Sequence, residues 1–351
     1  MSVTIKEIAH HTGLSIPTVG NILGRSGHRY NAQTRARVLE AAKDLGYRPN
    51  ASARSMRNGR FGCAALILSR SRQQTLSHIP VGLLDGLDDE LAQHNMHLTV
   101  SRLTDEELST QNFLPKVLRE HTADGMIVNY THQIPQPMLG VIHAHHAPAV
   151  WVNAKLAEDC VYPDDLAGAR AATEMLLRLG HKRIALVHMV ARLGWGGTIQ
   201  SMRPHMHYSV IDRVAGFSEV MRAAGHEPVF FSHDRFIETP EQIEVATVLL
   251  SGPDRPTAII AYSEIEAHAI VCAARLLGLS LPRDLSVVVF APRDLPVLGY
   301  ELSAAAVPTF EMGRRAVLML LEKLKSPEAP RPPEPLAYSA VSLATLGPPS
   351  I

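Results

Sequence analysis

At 351 residues the chain is too long for one compact core, so two or three domains are expected. With 46% hydrophobic and 19% charged residues the composition is that of an ordinary globular protein, and no apolar run nears the roughly 18 residues of a membrane-spanning helix. The formal net charge of zero hides a division. Residues 1–60 hold ten Lys or Arg against three acids, a net of +7, and the remaining 291 hold 24 against 31, a net of −7. A basic head on an acidic body points to a polyanion as the head's partner, because neutralising phosphates releases counterions. Lys6 and Glu7 interrupt the apolar stretch an export signal needs, so the expected compartment is the cytoplasm. Cys63, Cys160 and Cys272 have neither metal-ligand nor redox spacing and read as buried thiols.

Thr4 is placed to cap a first helix through Ile5, Ile8 and Ala9, ended by Gly13. Ser15 caps a second, in which Val19, Ile22 and Leu23 keep helical spacing. Two short helices around a tight glycine turn make a helix-turn-helix. Asn31, with Thr34 behind it, opens a third helix whose Val38, Leu39, Ala42 and Leu45 are expected to close a small core, with Gly46 as terminator. In this geometry the second helix enters the major groove by its N-terminus, so Ser15, Ile16, Pro17, Thr18 and Asn21 face bases or phosphates. Arg25, Arg29, Arg35 and Arg37 flank it as phosphate contacts.

Three features carry a family resemblance: Val3-Thr4-Ile5-Lys6-Glu7-Ile8-Ala9, the corner Gly46-Tyr47-Arg48-Pro49-Asn50, and the basic segment to Gly59. With them the chain resembles the lactose-repressor (LacI/GalR) family of bacterial transcriptional regulators nearly end to end. The resemblance implies that residues 49–60 form a hinge, helical on DNA, with Met56 as a minor-groove wedge and Asn50, Arg54 and Arg57 beside it. Read without the family, this stretch is a polar linker. Two half-sites with central wedges imply a homodimer. The copy departs from the family pattern in the recognition helix, where Thr-Val-Ser-Arg reads Thr18-Val19-Gly20-Asn21, so a different operator is expected.

The body carries continuous apolar runs at 61–68, 125–128, 149–152, 183–187, 257–261 and 286–290, separated by helical stretches, which give an α/β architecture with parallel sheets. Such sheets bind ligands beyond the carboxyl ends of their strands. Ser69, Arg70, Asn129, Asn153, Asp164, Asp165, Trp195, Ser263, Glu264 and Ala291 follow those runs. The resemblance implies two subdomains of periplasmic-binding-protein type, the first about 61–161 and 305–328, the second about 162–304 and 335–351, with crossings near 162, 305 and 330. The expected effector residues are Ser69, Arg70, Asn153, Asp164, Trp195, Arg213, Ser263 and Glu264; the resemblance implies Asn153, Asp164 and Arg213 by position, with Arg213 foremost. Asp164 reads equally as a helix cap, and Trp195 as a packing residue. Ser263-Glu264 and Ala291-Pro292 replace polar family residues, and the crossover is reduced to Leu302-Ser303-Ala304-Ala305-Ala306-Val307-Pro308.

No nucleophile, base and orienter stand together, so no catalysis is expected, and no cofactor either. The cluster His143-Ala144-His145-His146 has no acid or Cys near it in sequence, so no metal is expected. The resulting reading is an α head (residues 1–48), a hinge (49–60) and an α/β body (61–351) of a homodimeric regulator, a repressor. It binds duplex operator DNA and is controlled by a small effector such as a sugar. Two alternatives stay open: a body that serves only dimerisation, and a soluble ligand-binding protein.

Overall fold

In the computed structural model, residues 3–24, 29–47, 60–70, 79–104, 123–129, 136–189, 207–232, 237–339 and 341–350 are described. The chain divides into two units, Met1–Phe61 and Gly62–Ile351.

The first unit holds α1 (Ile5–Thr12), α2 (Ile16–Leu23) and α3 (Ala32–Asp44). Each starts at the capping residue the sequence nominates. The Thr4 amide donates to the Glu7 carboxylate at 2.6 Å, Ser15 Oγ accepts from the Thr18 amide at 3.2 Å, and Asn31 Oδ1 from the Thr34 amide at 2.7 Å. Ile8, Val19 and Val38 are fully buried at the centre, with Ala9, Ile22, Ala41 and Ala42 around them. Leu39, expected in this core, is instead 46% exposed. Successive helical residues point about 100° apart, so the stripe through Val38, Ala41, Ala42 and Leu45 leaves Leu39 facing outward.

In the second unit the first sheet runs β12-β5-β4-β3-β1-β2 and the second β10-β11-β9-β8-β6-β7. The strands of the first are β1 (Cys63–Arg70), β2 (His97–Thr104), β3 (Gly125–Asn129), β4 (Ala149–Val152), β5 (Cys160–Pro163) and β12 (Glu334–Leu336). Those of the second are β6 (Ile184–His188), β7 (Val229–Ser232), β8 (Ala258–Ala261), β9 (Ser286–Ala291), β10 (Leu295–Val297) and β11 (Tyr300–Ala306). Every pairing among them is parallel except β10 with β11. Strand alternation splits each apolar run between two cores: Ala64, Leu66 and Leu68 face one and Ala65 and Ile67 the other. This is why the runs are continuous rather than alternating.

The helices are α4 (Leu83–Gln93), α5 (Gln136–Ala144), α6 (Asp165–Arg178), α7 (Tyr208–Ala223), α8 (Thr239–Ser251), α9 (Glu264–Leu276) and α10 (Thr309–Lys323). None of the described helices is long and apolar enough to cross a membrane. The crossings lie later than the sequence placed them. β5 extends the first sheet to Pro163, Ala305 and Ala306 pair with Phe290 and Ala291 in the second, and β12 pairs with β5. The third crossing therefore follows Leu336, after which Thr345 bonds Ser303 and Val287 of the second sheet. Short strands rich in Ala and Pro do not announce which sheet they join.

α4 and α10 pack at near backbone contact: a Cβ on Gly313 would lie 2.5 Å from the Leu83 carbonyl oxygen, and one on Gly86 would overlap the carbonyl of Phe310. Gly86→Ala should lower stability by at least about 2 kcal/mol through overpacking. Gly140→Ala, on a helix with nothing within 4 Å of the new Cβ, should raise it by roughly 0.5–1 kcal/mol. Urea denaturation of both variants measures the contrast.

Candidate functional site: a polar crevice at the strand ends of the body

The residues that end the strands of both sheets, or open the helices after them, form the candidate site of the body. Arg213, on the second turn of α7, is 8% exposed. Its Nε donates to Asp165 Oδ1 at 2.6 Å, Nη1 to the Tyr262 carbonyl at 3.0 Å and Nη2 to the Tyr338 hydroxyl at 3.0 Å. The guanidinium carbon lies 4.6 Å from the ring centre of Tyr262 and 4.2 Å from that of Phe290. Tyr338 donates its own proton to Asp165 Oδ1 at 2.6 Å. Burial works against the charge on Arg213, but Asp165 more than offsets it, so the pKa of the guanidinium rises above its ordinary value. Burial pushes the hydroxyls of Tyr208, Tyr262 and Tyr338 up, so all three stay protonated.

The network leaves polar atoms over. Asp165 and Tyr208 interact with each other, and among the described residues Asn129 Oδ1 is buried without a hydrogen-bond partner. Among the described residues three of the five guanidinium N–H groups of Arg213 are used.

The N-terminal turn of α7 also joins the two subdomains of the body. His207 Nε2 lies 2.8 Å from the Asn153 carbonyl, Lys155 Nζ donates to Asp212 at 2.7 Å, and Tyr208 meets Tyr162 edge to face at 5.8 Å. Ser209 links His207 to the Tyr262 hydroxyl, each at 2.6 Å. On the other side of Tyr262, His188 Nδ1 lies 3.1 Å from the buried carboxylate of Glu266, which also accepts from the Met189 amide at 3.0 Å and from Ser263 Oγ. Burial alone would raise the Glu266 pKa, but the hydrogen bonds and charge of His188, with Ser263, outweigh it and hold the acid below its ordinary value.

Several sequence-nominated residues stand elsewhere than expected. Asp164 caps α6 through the Ala167 amide at 3.0 Å, and its neighbour Asp165 makes the contact to Arg213. Which of two adjacent acids turns inward depends on helix phase, and the capping residue by definition turns toward the helix end. Glu264 is exposed, and the buried acid is Glu266. Ser263 caps α9 through the Ile265 amide at 3.3 Å as well as bonding Glu266. Asn153, with φ 54°, meets His207 through its backbone. Trp195 and the side chains of Ser69 and Arg70 lie outside the described residues. Tyr262 and His188 end apolar runs and were open to the rule that nominated Ser263. Tyr338 follows no such run, and the sequence carries no sign of it.

In the head, Ile16 is 50% exposed, and Pro17, Asn21, Arg29, Arg35 and Arg37 are exposed too. Thr4, Ser15 and Asn31 are exposed caps, Thr18 Oγ1 lies 2.8 Å from Ser15 Oγ, and Thr34 and Tyr47 are half-buried. Asn21 Nδ2 donates to the Tyr30 hydroxyl at 3.1 Å, a contact across the turn that sequence spacing did not reveal. Arg25, Asn50, Arg54, Met56 and Arg57 lie outside the described residues.

Comparison with known proteins agrees with both halves. The profile described as bacterial regulatory proteins, lacI family, matches residues 4–50, and that described as a periplasmic binding protein-like domain matches residues 173–341. The probable HTH-type transcriptional regulator EndR of Paenibacillus polymyxa is 25% identical over 335 residues, covering 93% of this chain and 92% of that one. The HTH-type transcriptional repressor PurR of Photobacterium profundum is 25% identical over 333 residues, 92% of each chain. Among solved structures, the lac repressor dimer bound to operator and the anti-inducer ONPF superposes with a TM-score of 0.76 at 21% identity, over 99% of this chain and 100% of that one. The CelR–cellobiose complex gives 0.63 at 21% identity, over 98% and 100%. The chain belongs to the LacI family of bacterial regulatory proteins.

Proposed function

We propose that the chain is a transcriptional repressor that binds duplex operator DNA as a homodimer and is controlled by a small polyhydroxy effector, a sugar or related metabolite, held at the Arg213 crevice. The observation that carries the DNA reading is the exposed face of α2, where Ile16, Pro17 and Asn21 project from a core-anchored helix that exposed arginines follow in the chain. That face has no charge of its own, so it reads bases while Arg29, Arg35 and Arg37 hold phosphates. Residues 49–60 serve as the hinge.

The effector reading rests on the buried polar groups at the strand ends. Buried polar groups are paired with few exceptions, so Asn129 Oδ1, at the end of β3 and without a partner among the described residues, calls for one. Arg213 is already neutralised by Asp165, which favours a neutral ligand whose hydroxyls both donate and accept over a carboxylate. A protein of this fold holds cellobiose. A body that serves only dimerisation is the second reading, favoured by the apolar crossover Ala304-Ala305-Ala306 and by the three protein partners Arg213 already has.

Two apolar faces fit a second copy. Leu276 is 72% exposed and Leu298 42%, brought to one place by Arg275, which donates to the Leu298 carbonyl at 3.1 Å. Val81, Leu84 and Phe310 form the other, where α4 and α10 begin.

Selection of a bound duplex from random sequence, followed by gel-shift titration, tests the head. Asn21→Ala should relax base preference at one position of the half-site at a cost of about 1–3 kcal/mol. Arg35→Ala should weaken binding evenly across sequences and lower the salt slope by about one. A chain that selects no duplex would refute the reading. For the body, a thermal-shift screen of mono- and disaccharides should find a stabilising ligand, and Tyr208→Phe should weaken it about 5–10-fold. No shift across the screen would favour the dimerisation scaffold. Leu276→Asp with Leu298→Asp should move sedimentation toward the monomer.

A further inference from the structure

The chain enters the body at Gly62, one residue before β1, and β1 lies between β2 and β3 in the first sheet. Both neighbours hold that entry. From the β3 side, Asp124 Oδ2 accepts from the amides of Gly62 at 2.8 Å and Cys63 at 3.2 Å, and the Asp124 amide donates back to the Cys63 carbonyl at 2.8 Å. From the β2 side, the His97 amide donates to the Gly62 carbonyl at 2.9 Å. Gly62 thus has its backbone donor and its backbone acceptor taken by different strands' leading residues.

Gly62 stands at φ 69°, in the left-handed region. A Cβ there would meet nothing closer than the Asn95 carbonyl oxygen at 3.7 Å, an ordinary contact, so the glycine answers to backbone conformation and not to crowding. The chain turns at this residue, and Asp124 holds the turned form by taking two successive amides on one oxygen. A strand that had only to begin would need neither device, since pairing with β2 and β3 already starts at Cys63 and Ala64. The anchor lies where strands begin, whereas the Arg213 crevice lies where strands end, and the two share no residue.

We propose that Asp124 and Gly62 are positioning residues for operator binding: together they fix the direction in which residues 49–60 leave the body, so that the two heads of a homodimer meet two half-sites at once. This rests on the homodimeric, hinged reading of the proposed function. Two heads on one body bind the second half-site at an effective concentration set by the stiffness and reach of their tethers. A tether pinned at its root gives up little freedom when the second head docks. One that swivels at Gly62 gives up more, and the pair binds more weakly. The contacts of a single head with its own half-site do not pass through the anchor.

Gel-shift titration of the full chain tests this on two duplexes: the one selected by the parent chain, with two half-sites, and the same duplex with one half-site scrambled. The parent should prefer the two-site duplex. Asp124→Ala should lower that preference about tenfold while keeping single-site affinity within about twofold of the parent. Asp124→Asn, whose side-chain oxygen still accepts from both amides, should restore the preference. Gly62→Val should act as Asp124→Ala does, because a branched side chain is driven out of the left-handed region, whereas Gly62→Asn, which tolerates that region, should match the parent. If circular dichroism shows Asp124→Ala unfolded, the Gly62 pair decides alone. An undiminished preference in Asp124→Ala or Gly62→Val, or an equal loss on both duplexes, would overturn the assignment. A parent chain that binds the single-site duplex as tightly as the two-site one would instead remove the homodimeric reading, and this role with it.

Discussion

The body is organised around one buried charge. Arg213 reaches from α7 to Asp165 at the head of α6, to the carbonyl of Tyr262 just after β8 and to Tyr338 in the last crossing. A guanidinium removed from water is tolerable only when its charge and its fork of donors are met together, and removing one partner of such a pair costs about 3–5 kcal/mol. Two helices, a strand end and a crossing segment are thereby fixed relative to one another. The aromatic rings of Tyr262 and Phe290 cover the cation and keep water from competing with Asp165.

Because Tyr338 belongs to the crossing that leaves β12, the network also sets how the first sheet is tethered to the second. Among the described residues, further links between the subdomains come from the same helix and its cap: Asp212 to Lys155, His207 to the Asn153 carbonyl, and Tyr208 to Tyr162. Each is a single contact that can open without disturbing a core. Under the proposed function this is what a switch requires, since a ligand moves an equilibrium only by its difference in affinity between the two states. An effector that bonded Tyr208 would act on the helix that already carries the links.

The head follows a different economy. Its core is a handful of small and branched residues, and its helices begin at side-chain caps rather than being held by deep burial. Capping uses Ser15 and Asn31 for local hydrogen bonds and leaves the outward face of α2 to Ile16, Pro17 and Asn21, a surface that matches shape and methyl groups more than charge. The arginines that supply charge stand after the turn and on α3.

What the sequence determined by itself is whatever depends on neighbours along the chain. Ser15 and Asn31 mark helix starts because a cap accepts from an amide three residues on, Thr4 because the Glu7 carboxylate three residues on takes its amide, and the body's strands show as apolar runs because both faces of a parallel sheet are covered. Tertiary structure decided what depends on residues distant in sequence. Arg213 was legible as a position but not as the partner of Asp165 rather than Asp164, because one residue of helix phase separates an inward acid from a cap. Tyr338 and Glu266 join the crevice across separations of 125 and 78 residues, and no local pattern encodes such a pairing. The strand at Glu334–Leu336 joined the first sheet rather than the second because β5 offered an open edge there, and an edge exists only once the sheet has formed.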